Sequence, residues 1–342
     1  MTIGYAGDTL CPGPIQDVYF DKDRNAWVLS RYVDVAAAFR SASLHPVGPR
    51  GVLKLDKLVA NNAERLRMRS ETTDALAPAI LHGWETDIRC LAQQILDDLP
   101  TSRPVDLVHQ YADPICKRLA SLATNIAETE AESLLVFAAE LSAAAAEPFD
   151  KSLATKAKAA EVHLRQHFHS GPLALRESGF VALSQTLPRM LANVWLPLIQ
   201  QPGEWRRLHF EPALTPRAIE ELLRYAGLTR ILFRMASQSI QFNGAGIHEG
   251  DRLILRVSLA NRDPAYFRSP DHLDIARRRI NHLSFGIGHH SCVGAPLIRM
   301  ALVTLTYLLV ERYHEAALYQ DFQWQGGSGF RFPGALCVLL RS

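Results

Sequence analysis

The chain has almost no net charge and few cysteines, and both shortages exclude classes of protein. Its 37 basic and 35 acidic side chains leave a formal charge of +2, which gives no argument for binding nucleic acid. The cysteines are odd in number and widely scattered, so they do not form the spaced set of a disulfide framework, and we expect a reducing cytoplasm. The five cysteines are at positions 11, 90, 116, 292 and 337.

Long apolar runs, repeats and linkers are also missing. Residues 1–19 contain glycine or proline at positions 4, 7, 12 and 14 and no apolar run, so we expect neither a cleaved secretion signal nor a membrane anchor. No internal repeat or low-complexity tract divides the chain, and we predict a single domain over residues 1–342. The hydrophobic content of 48% is enough for a large core.

The periodic segments predict a mainly α protein with small β-sheets. Two alternating segments, residues 238–242 and 253–257, predict strands joined by the glycine-containing turn 243–250, and residues 335–340 predict a final strand. Thr215 followed by Pro216 predicts an N-cap and a first helical residue. The predicted helices cover residues 36–41, 64–76, 84–99, 115–125, 131–145, 153–168 and 180–200.

A glycine-rich segment, residues 285–294, surrounds a single cysteine. It reads FGIGHHSCVG and comes directly before an apolar run that predicts a helix. A helix N-terminus and nearby cationic groups favour thiolate over thiol, so Cys292 is a candidate axial ligand for haem iron. A buried structural cysteine is the alternative. Zinc is not favoured, because it needs four spaced ligands and no second CxxC or HxxxH motif accompanies His282, His289 and His290.

This segment resembles the cysteine-ligand loop of the cytochrome P-450 superfamily, whose pattern FGxGxHxCxG is filled at every fixed position. Residues 221–224 (ELLR) match the family's ExxR motif, and residues 260–264 resemble a stretch typical of its bacterial members. Residues 27–35 resemble the family's first strand and the turn into a helix. The resemblance runs from about residue 13 to the C-terminus. It implies the cytochrome P-450 fold, a helix-rich triangular prism around a buried haem, with the chain shortened between about 70 and 180. It also implies haem b held by the Cys292 thiolate.

The resemblance further implies residues that contact the cofactor. Phe285 and Gly286 would lie against the haem, and the two haem propionates need cationic partners. Those expected at family-like positions are His290, Arg234, Arg69 and Arg65. Arg65 stands where the family commonly has histidine, and it shares a helix face with Arg69. A solvated basic face is the alternative for Arg65 and Arg69.

The same resemblance implies a structural network and a distal catalytic pair. Glu221 and Arg224 would form a buried network with Arg277, although an exposed helix pair is the alternative. Gln185 and Thr186 occupy the positions where the family has an acid followed by threonine.

Glutamine cannot titrate, so proton delivery would depend on Thr186 and water. Simple polar residues of a helix are the alternative for Gln185 and Thr186. Pro188 cannot donate to the carbonyl of Ser184 and therefore predicts a local disruption beside this pair, with a plain kink as the alternative.

Specificity would come from residues that line the distal side of the haem. They are aliphatic or aromatic with one exception and predict a small to medium apolar substrate, although the same side chains could belong to the core. The predicted substrate residues are Val181, Leu183, Ser184, Leu228, Ile231 and Phe233.

The resulting hypothesis is a haem-thiolate monooxygenase that hydroxylates or epoxidises an apolar or biosynthetic substrate with O2. Electrons would come from NAD(P)H through a ferredoxin- or flavodoxin-type partner, steered by a basic face with Arg67, Arg278, Arg279 and Lys117. Because the helix acid is replaced by Gln185, the first alternative is atypical chemistry: peroxide-driven oxidation, oxidative coupling, desaturation or rearrangement. The second alternative is a non-catalytic haem-binding partner protein. We expect no nucleic acid and no membrane among its partners.

Overall fold

Helices dominate the computed structural model, which describes residues 15–47, 62–168 and 175–342. In the part of the chain so described, no helix is long and apolar enough to cross a membrane. The helices are α1 Tyr32–Arg40, α2 Asn62–Ala75, α3 Pro78–Asp98, α4 Asp113–Thr124, α5 Glu128–Ala146, α6 Lys151–Arg165, α7 Glu177–Val181, α8 Leu187–Gln200, α9 Pro202–Phe210, α10 Thr215–Ala226, α11 Val257–Ala260 and α12 Ala295–Arg312.

The strands are short and form small sheets. A five-stranded sheet has the order β1-β2-β8-β5-β3, in which only β2 and β8 are parallel, and a three-stranded sheet has the order β4-β12-β9. β6–β7 and β10–β11 are hairpins. The strand bounds are β1 Tyr19–Asp21, β2 Ala26–Leu29, β3 Leu44–Pro46, β4 Val105–Asp106, β5 Ile231–Ala236, β6 Ile240–Phe242, β7 Ala245–Ile247, β8 Arg252–Arg256, β9 Glu315–Leu318, β10 Trp324–Gly326, β11 Arg331–Pro333 and β12 Cys337–Arg341.

The main core surrounds α8 and α12. Every residue of α8 from Leu187 to Ile199 is buried except Arg189, as expected of a helix that other elements enclose. The side chains of Trp195 and Trp205 are fully buried and donate hydrogen bonds to Thr306 and to the carbonyl of Tyr313. The two bonds tie α8 and α9 to α12 and its C-terminal end.

The predicted fold class is confirmed, and most predicted helices are present with longer N-termini. The first predicted helix begins at Tyr32 rather than at residue 36, and the third begins at Pro78 rather than at 84. In the third helix, Pro78 occupies the first turn, where proline is favoured. Proline does not contribute to an apolar periodicity, so the pattern predicted a later start. The interpretation as one shortened domain stays a prediction.

Two local predictions were wrong. Thr215 is not an N-cap: a 3-10 turn, Pro212–Leu214, leads directly into α10, and the Thr215 hydroxyl donates to the carbonyl of Pro212. The predicted turn 243–250 contains the strand β7, which pairs with β6, while β8 pairs with β2 and β5. The reason is the left-handed backbone of Asn243 and Gly244, which makes a tight hairpin directly after β6.

The disruption predicted beside Pro188 takes the form of a π-helical turn, Ala182–Thr186, between α7 and α8. The N–H of Leu187 donates to the carbonyl of Ala182, one residue further back than in an α-helix. Pro188 comes just after the π turn in a helical backbone that continues from α7, so its missing N–H interrupts the hydrogen-bond ladder at this point. The helix therefore widens rather than simply kinking.

Candidate active site

The loop around Cys292 is shaped by glycines with positive φ and by a backbone hydrogen bond. Gly286 and Gly288 have φ of 64° and 76°, a region that side chains rarely adopt. A Cβ on Gly288 would lie 3.1 Å from the carbonyl oxygen of Phe39, so this part of the loop packs directly on the end of α1. The N–H of Cys292 donates to the carbonyl of Phe285 over 2.8 Å. These contacts fix the backbone that carries the sulfur.

Burial and the helix terminus act in opposite directions on the Cys292 thiol. Burial is the larger effect and raises its pKa, while the backbone N–H groups of Gly294 and Ala295 and the charges of Arg299 and Arg69 lower it. The residue nevertheless has exposed surface, and it lines a recess that is open to solvent on one side. The effects expected of the helix terminus and of the nearby cationic groups are therefore present, but desolvation outweighs them. A coordinated metal ion deprotonates a thiol outright.

The recess beside the sulfur, which we call the thiol recess, has a volume of about 340 Å³. Arg69 enters it from α2 and donates to the carbonyl and the hydroxyl of Ser291, both over 2.8 Å. The structure therefore brings Arg69 to the Cys292 loop, where it is bonded to the loop itself. Arg65 is on the same helix one turn earlier, and its side chain lies outside the described residues. The recess is lined by Arg69, Thr73, Leu76, Phe285, Gly286, Ser291, Cys292, Val293, Ala295, Pro296 and Arg299.

Arg234 on β5 has the properties expected of a partner for a buried carboxylate. Arg234 is 4% exposed, and burial lowers the pKa of its guanidinium to about 10. Its Nη1 donates to the carbonyl of Phe233 over 2.8 Å, while its Nε has no hydrogen-bond partner. A buried N–H without an acceptor is costly, so this atom indicates a missing acceptor.

A second histidine, which the sequence analysis did not single out, lies near His290. The ring of His45 on β3 is 6.3 Å from the ring of His290, and β3 pairs with β5 so that Pro46 is opposite Arg234. His45 Nε2 is 3.2 Å from the hydroxyl of Ser237. No local motif marks His45, because only the β3–β5 pairing brings it to this position.

These residues fit a prosthetic group that combines a thiolate-bound metal with carboxylates. The chain offers one sulfur in a recess, a buried arginine with an orphaned N–H, and two histidines, His45 and His290, whose rings lie 6.3 Å apart. Haem b has this chemistry, since its iron accepts a thiolate and its propionates accept from cationic donors.

The structure brings Glu221, Arg224 and Arg277 together. Arg224 donates from Nε and Nη2 to both carboxylate oxygens of Glu221 over 2.7 and 2.8 Å, and neither side chain has any exposed surface. Arg277 Nε lies 3.0 Å from the same carboxylate. Arg224 also donates to the carbonyls of Asn261 and Pro270. The network therefore joins α10 to the segment that precedes the Cys292 loop.

Gln185 and Thr186 lie side by side in the π-helical turn and are half-buried. The neighbouring Ser184 hydroxyl donates to the carbonyl of Phe180 over 2.7 Å, so its hydrogen-bonding capacity is used within the helix. The position of a polar pair in a π turn fits a functional role, since such turns are frequent at functional sites.

The predicted substrate residues are divided between two apolar clusters. Leu183 and Leu228 are 2% and 1% exposed in the main core, against which Val181 packs. Ile231 and Phe233 belong to a smaller cluster with β2 and β8, and the Phe233 ring makes an edge contact with Phe149 at 5.5 Å. Their role in a substrate pocket stays a prediction.

A charged cluster beside Phe285 was also missed by the sequence analysis. Glu220, His282 and Arg299 form this charge cluster, in which Arg299 Nε and His282 Nε2 lie 2.6 and 3.1 Å from the Glu220 carboxylate. The Arg299 guanidinium lies 4.7 Å from the centre of the Phe285 ring. The position of Arg299, seven residues after Cys292 and about one turn into α12, is the sequence signal that could have indicated it.

The four cationic side chains expected to attract a redox partner differ in how close they lie to acidic residues of the chain itself. Arg67 lies 3.5 Å from Glu71, and Lys117 lies 3.7 Å from Glu132. Arg278 and Arg279 are exposed in the segment before the Cys292 loop. The last two are therefore the better candidates for contacts with an acidic protein.

Comparison with known proteins identifies one family over the C-terminal part of the chain. A family model described as Cytochrome P450 matches residues 212–318, which include α10 and the Cys292 loop. The chain is 28% identical over 300 residues to the biotin biosynthesis cytochrome P450 of Bacillus subtilis, covering 78% of this chain and 75% of that protein. It is 29% identical over 335 residues to cytochrome P450-SU2 of Streptomyces griseolus, covering 86% and 82%.

Solved structures show that the similarity extends to the fold of nearly the whole chain. The crystal structure of P450BioI in complex with hexadec-9Z-enoic acid ligated acyl carrier protein superimposes with a TM-score of 0.83 at 23% identity, covering 95% of each chain. That of CYP109E1 from Bacillus megaterium in complex with testosterone has a TM-score of 0.83 at 19% identity, covering 94% of each chain.

Proposed function

We propose that this chain, which matches the cytochrome P450 family model over residues 212–318 and shares the fold of solved cytochromes P450, is a haem-thiolate monooxygenase that hydroxylates or epoxidises a small to medium apolar or biosynthetic substrate with O2. The observation that carries the proposal is the Cys292 loop, whose glycines and backbone hydrogen bond hold one sulfur at the N-terminus of α12. An enzyme of this family is an oxidoreductase, so the non-catalytic alternative is dropped.

Each group of residues has a defined task in this proposal. Haem b supplies the iron at which O2 is activated when the group is bound. Cys292 would ligate the iron, and Arg234 would donate its free Nε–H to a propionate, assisted by His290, Arg69 and Arg65. Phe285 and Gly286 would contact the porphyrin. Thr186 would hold the water that delivers protons, next to the non-titrating Gln185.

Structural support and specificity come from other parts of the chain. Glu221, Arg224 and Arg277 would keep the segment before the Cys292 loop in register with α10. We retain Val181, Leu183, Ser184, Leu228, Ile231 and Phe233 as the proposed substrate residues. The two clusters that contain most of them are apolar, which supports an apolar substrate.

We propose that electrons come from NAD(P)H through a ferredoxin- or flavodoxin-type protein, supported by the exposed Arg278 and Arg279. The acyl carrier protein in the structure of the fold neighbour makes a carrier-tethered acyl chain one substrate to test. We place the protein in the cytoplasm, supported by the free thiols of Cys90, Cys116, Cys292 and Cys337.

Gln185 favours a second candidate, in which the enzyme uses peroxide or catalyses coupling, desaturation or rearrangement. Product formation with peroxide alone, against NAD(P)H with ferredoxin and its reductase, separates the two. Turnover only with the electron chain and O2 rejects the peroxide version. Gln185→Glu is the matched variant: it restores an acid, and we expect it to raise the fraction of electrons recovered in product if O2 is the oxidant.

The proposal is tested by the carbon monoxide difference spectrum of the dithionite-reduced protein after haem reconstitution. Wild type should give the band of a thiolate complex, and Cys292→Ala should lose it. Cys90→Ala, at an exposed cysteine on α3, is the matched control and should keep it. A thiolate band that survives in Cys292→Ala would rule the assignment out.

A further inference from the structure

Arg299 is held in one place by the rest of the charge cluster. It donates from Nε to Glu220 Oε1 over 2.6 Å and from Nη2 to Oε2 over 3.1 Å, a bidentate pair. The N–H of Ser284 donates to Nδ1 of His282 over 3.2 Å, so Nε2, which lies 3.1 Å from Glu220, is the ring nitrogen that donates to the carboxylate. The carboxylate therefore has donors on both of its oxygens.

The same guanidinium faces the Cys292 loop. It lies over the Phe285 ring at 4.7 Å, a distance at which a cation is attracted to an aromatic face. Arg299 lines the thiol recess together with Cys292. Arg69 is the other cation of the recess, and it is bonded to Ser291.

We propose that Arg299 is a positioning residue whose pinned positive charge raises the reduction potential of the iron that Cys292 would bind. A fixed cation near the sulfur favours the state of the iron centre that carries one more electron. Glu220 has the opposite effect on the potential, because its negative charge offsets that of Arg299. This inference rests on the proposed haem-thiolate function. It adds Arg299 and Glu220 as residues that set the reduction potential of the iron.

The test removes a positive charge at Arg299 and, in a second variant, the negative charge of its hydrogen-bonded partner Glu220. Arg299→Gln should lower the ferrous-to-ferric ratio several-fold in a redox-dye titration poised at the wild-type midpoint, and Glu220→Gln should raise it. A purely structural role predicts that both variants loosen the loop and move the ratio in the same direction. Arg312→Gln is the matched control. Arg312 lies at the C-terminal end of the same helix and pairs with Asp97, so its loss should leave the ratio unchanged.

Salt gives an independent measurement on the same proteins. The side chains of Arg299 and Glu220 are 39% and 28% exposed, so the opposite shifts should shrink as ionic strength rises. Equal ratios in wild type and Arg299→Gln, or shifts of the same sign in both variants, would overturn the proposal. If Arg299→Gln does not take up haem, the Glu220→Gln variant tests the proposal by itself. A fall or no change in its ferrous-to-ferric ratio would overturn the proposal. Failure of the proposed function is distinguishable, because the wild type itself would then give no thiolate spectrum.

Discussion

Gly288 shows how much a single residue contributes to the site. Its φ is 76°, and a Cβ added to it would lie 3.1 Å from the Phe39 carbonyl oxygen and 3.3 Å from Arg40 Cα, closer than Cβ atoms normally approach other atoms. A residue with a Cβ would be strained in its backbone and would also push the Cys292 loop away from α1. The glycine pattern of the loop is thus a packing requirement as well as a turn requirement.

We expect Gly288→Ala to reduce the free energy of unfolding by about 2 to 3 kcal/mol, the sum of left-handed strain and overpacking. Urea denaturation of the haem-free protein measures it. Gly203→Ala is the control, because nothing lies within 4 Å of its added Cβ and it is in helix α9. Equal stability of the two variants would contradict the role of the α1 contact.

Glu221 is a second residue whose surroundings determine how much it contributes to stability. Its side chain and that of Arg224 are completely buried, and the guanidinium of Arg277 completes the pair. We expect Glu221→Gln to lower the free energy of unfolding by about 3 to 5 kcal/mol, because it leaves buried cations uncompensated. Glu315→Gln breaks the exposed pair with Arg341 and should cost less than about 1 kcal/mol. Thermal or urea unfolding distinguishes them, and similar losses would mean that the buried network contributes little.

At the scale of elements, the charge cluster joins α10 to α12. Burial alone would raise the pKa of Glu220, but hydrogen bonds from His282 and Arg299 outweigh it and lower the pKa from 4.5 to about 2. A carboxyl whose folded pKa is depressed stabilises the fold above its unfolded pKa and loses that contribution as the pH falls toward the folded value. The link between the two helices should therefore weaken between about pH 5 and pH 2.

We expect wild type to exceed Glu220→Gln in stability by about 1 to 2 kcal/mol at pH 7, a value reduced for partial exposure, and by much less at pH 3. Denaturation of both proteins across this range gives the difference. Glu211→Gln, in an exposed pair with Arg207, should show no comparable pH dependence. A difference that is independent of pH would contradict the lowered pKa of Glu220.

At the scale of the whole molecule, the turn 327–330 of the β10–β11 hairpin is bound to the C-terminal end of α5. The N–H of Gly329 donates to the carbonyl of Ala146 over 2.9 Å, and Arg230 donates to the carbonyl of Gly327 over 3.2 Å. The contact joins parts of the chain that are far apart in sequence. It therefore ties the helical part of the fold to the β-structure that follows α12.

Two glycines of this turn give a matched pair of substitutions. A Cβ on Gly329 would lie 2.1 Å from the backbone oxygen of Ala145, whereas one on Gly327 would meet only the flexible carboxylate of Glu147. We expect Gly329→Ala to cost about 2 to 3 kcal/mol and to increase amide exchange at the end of α5. Gly327→Ala should cost less than about 1 kcal/mol. Hydrogen exchange and urea denaturation check both, and a larger effect of Gly327→Ala would contradict this contact.

The parts of the protein that sequence could predict are those encoded locally. Apolar periodicity is a property of neighbouring residues, so it predicted the helices and the fold class. The Cys292 loop was predictable because its glycines, its cysteine and the helix after it are contiguous. Pro188 likewise indicated the disruption that the structure contains as a π-helical turn.

Tertiary structure decided which side chains meet. Only the fold brings Glu220 to Arg299 across 79 residues, places His45 beside His290, and assigns Arg69 to the Cys292 loop. Only the fold decides that burial outweighs the helix terminus at the Cys292 thiol, because desolvation depends on every atom that surrounds the sulfur. Periodicity and motifs report contacts along the chain, and the energies of this site come from contacts across it.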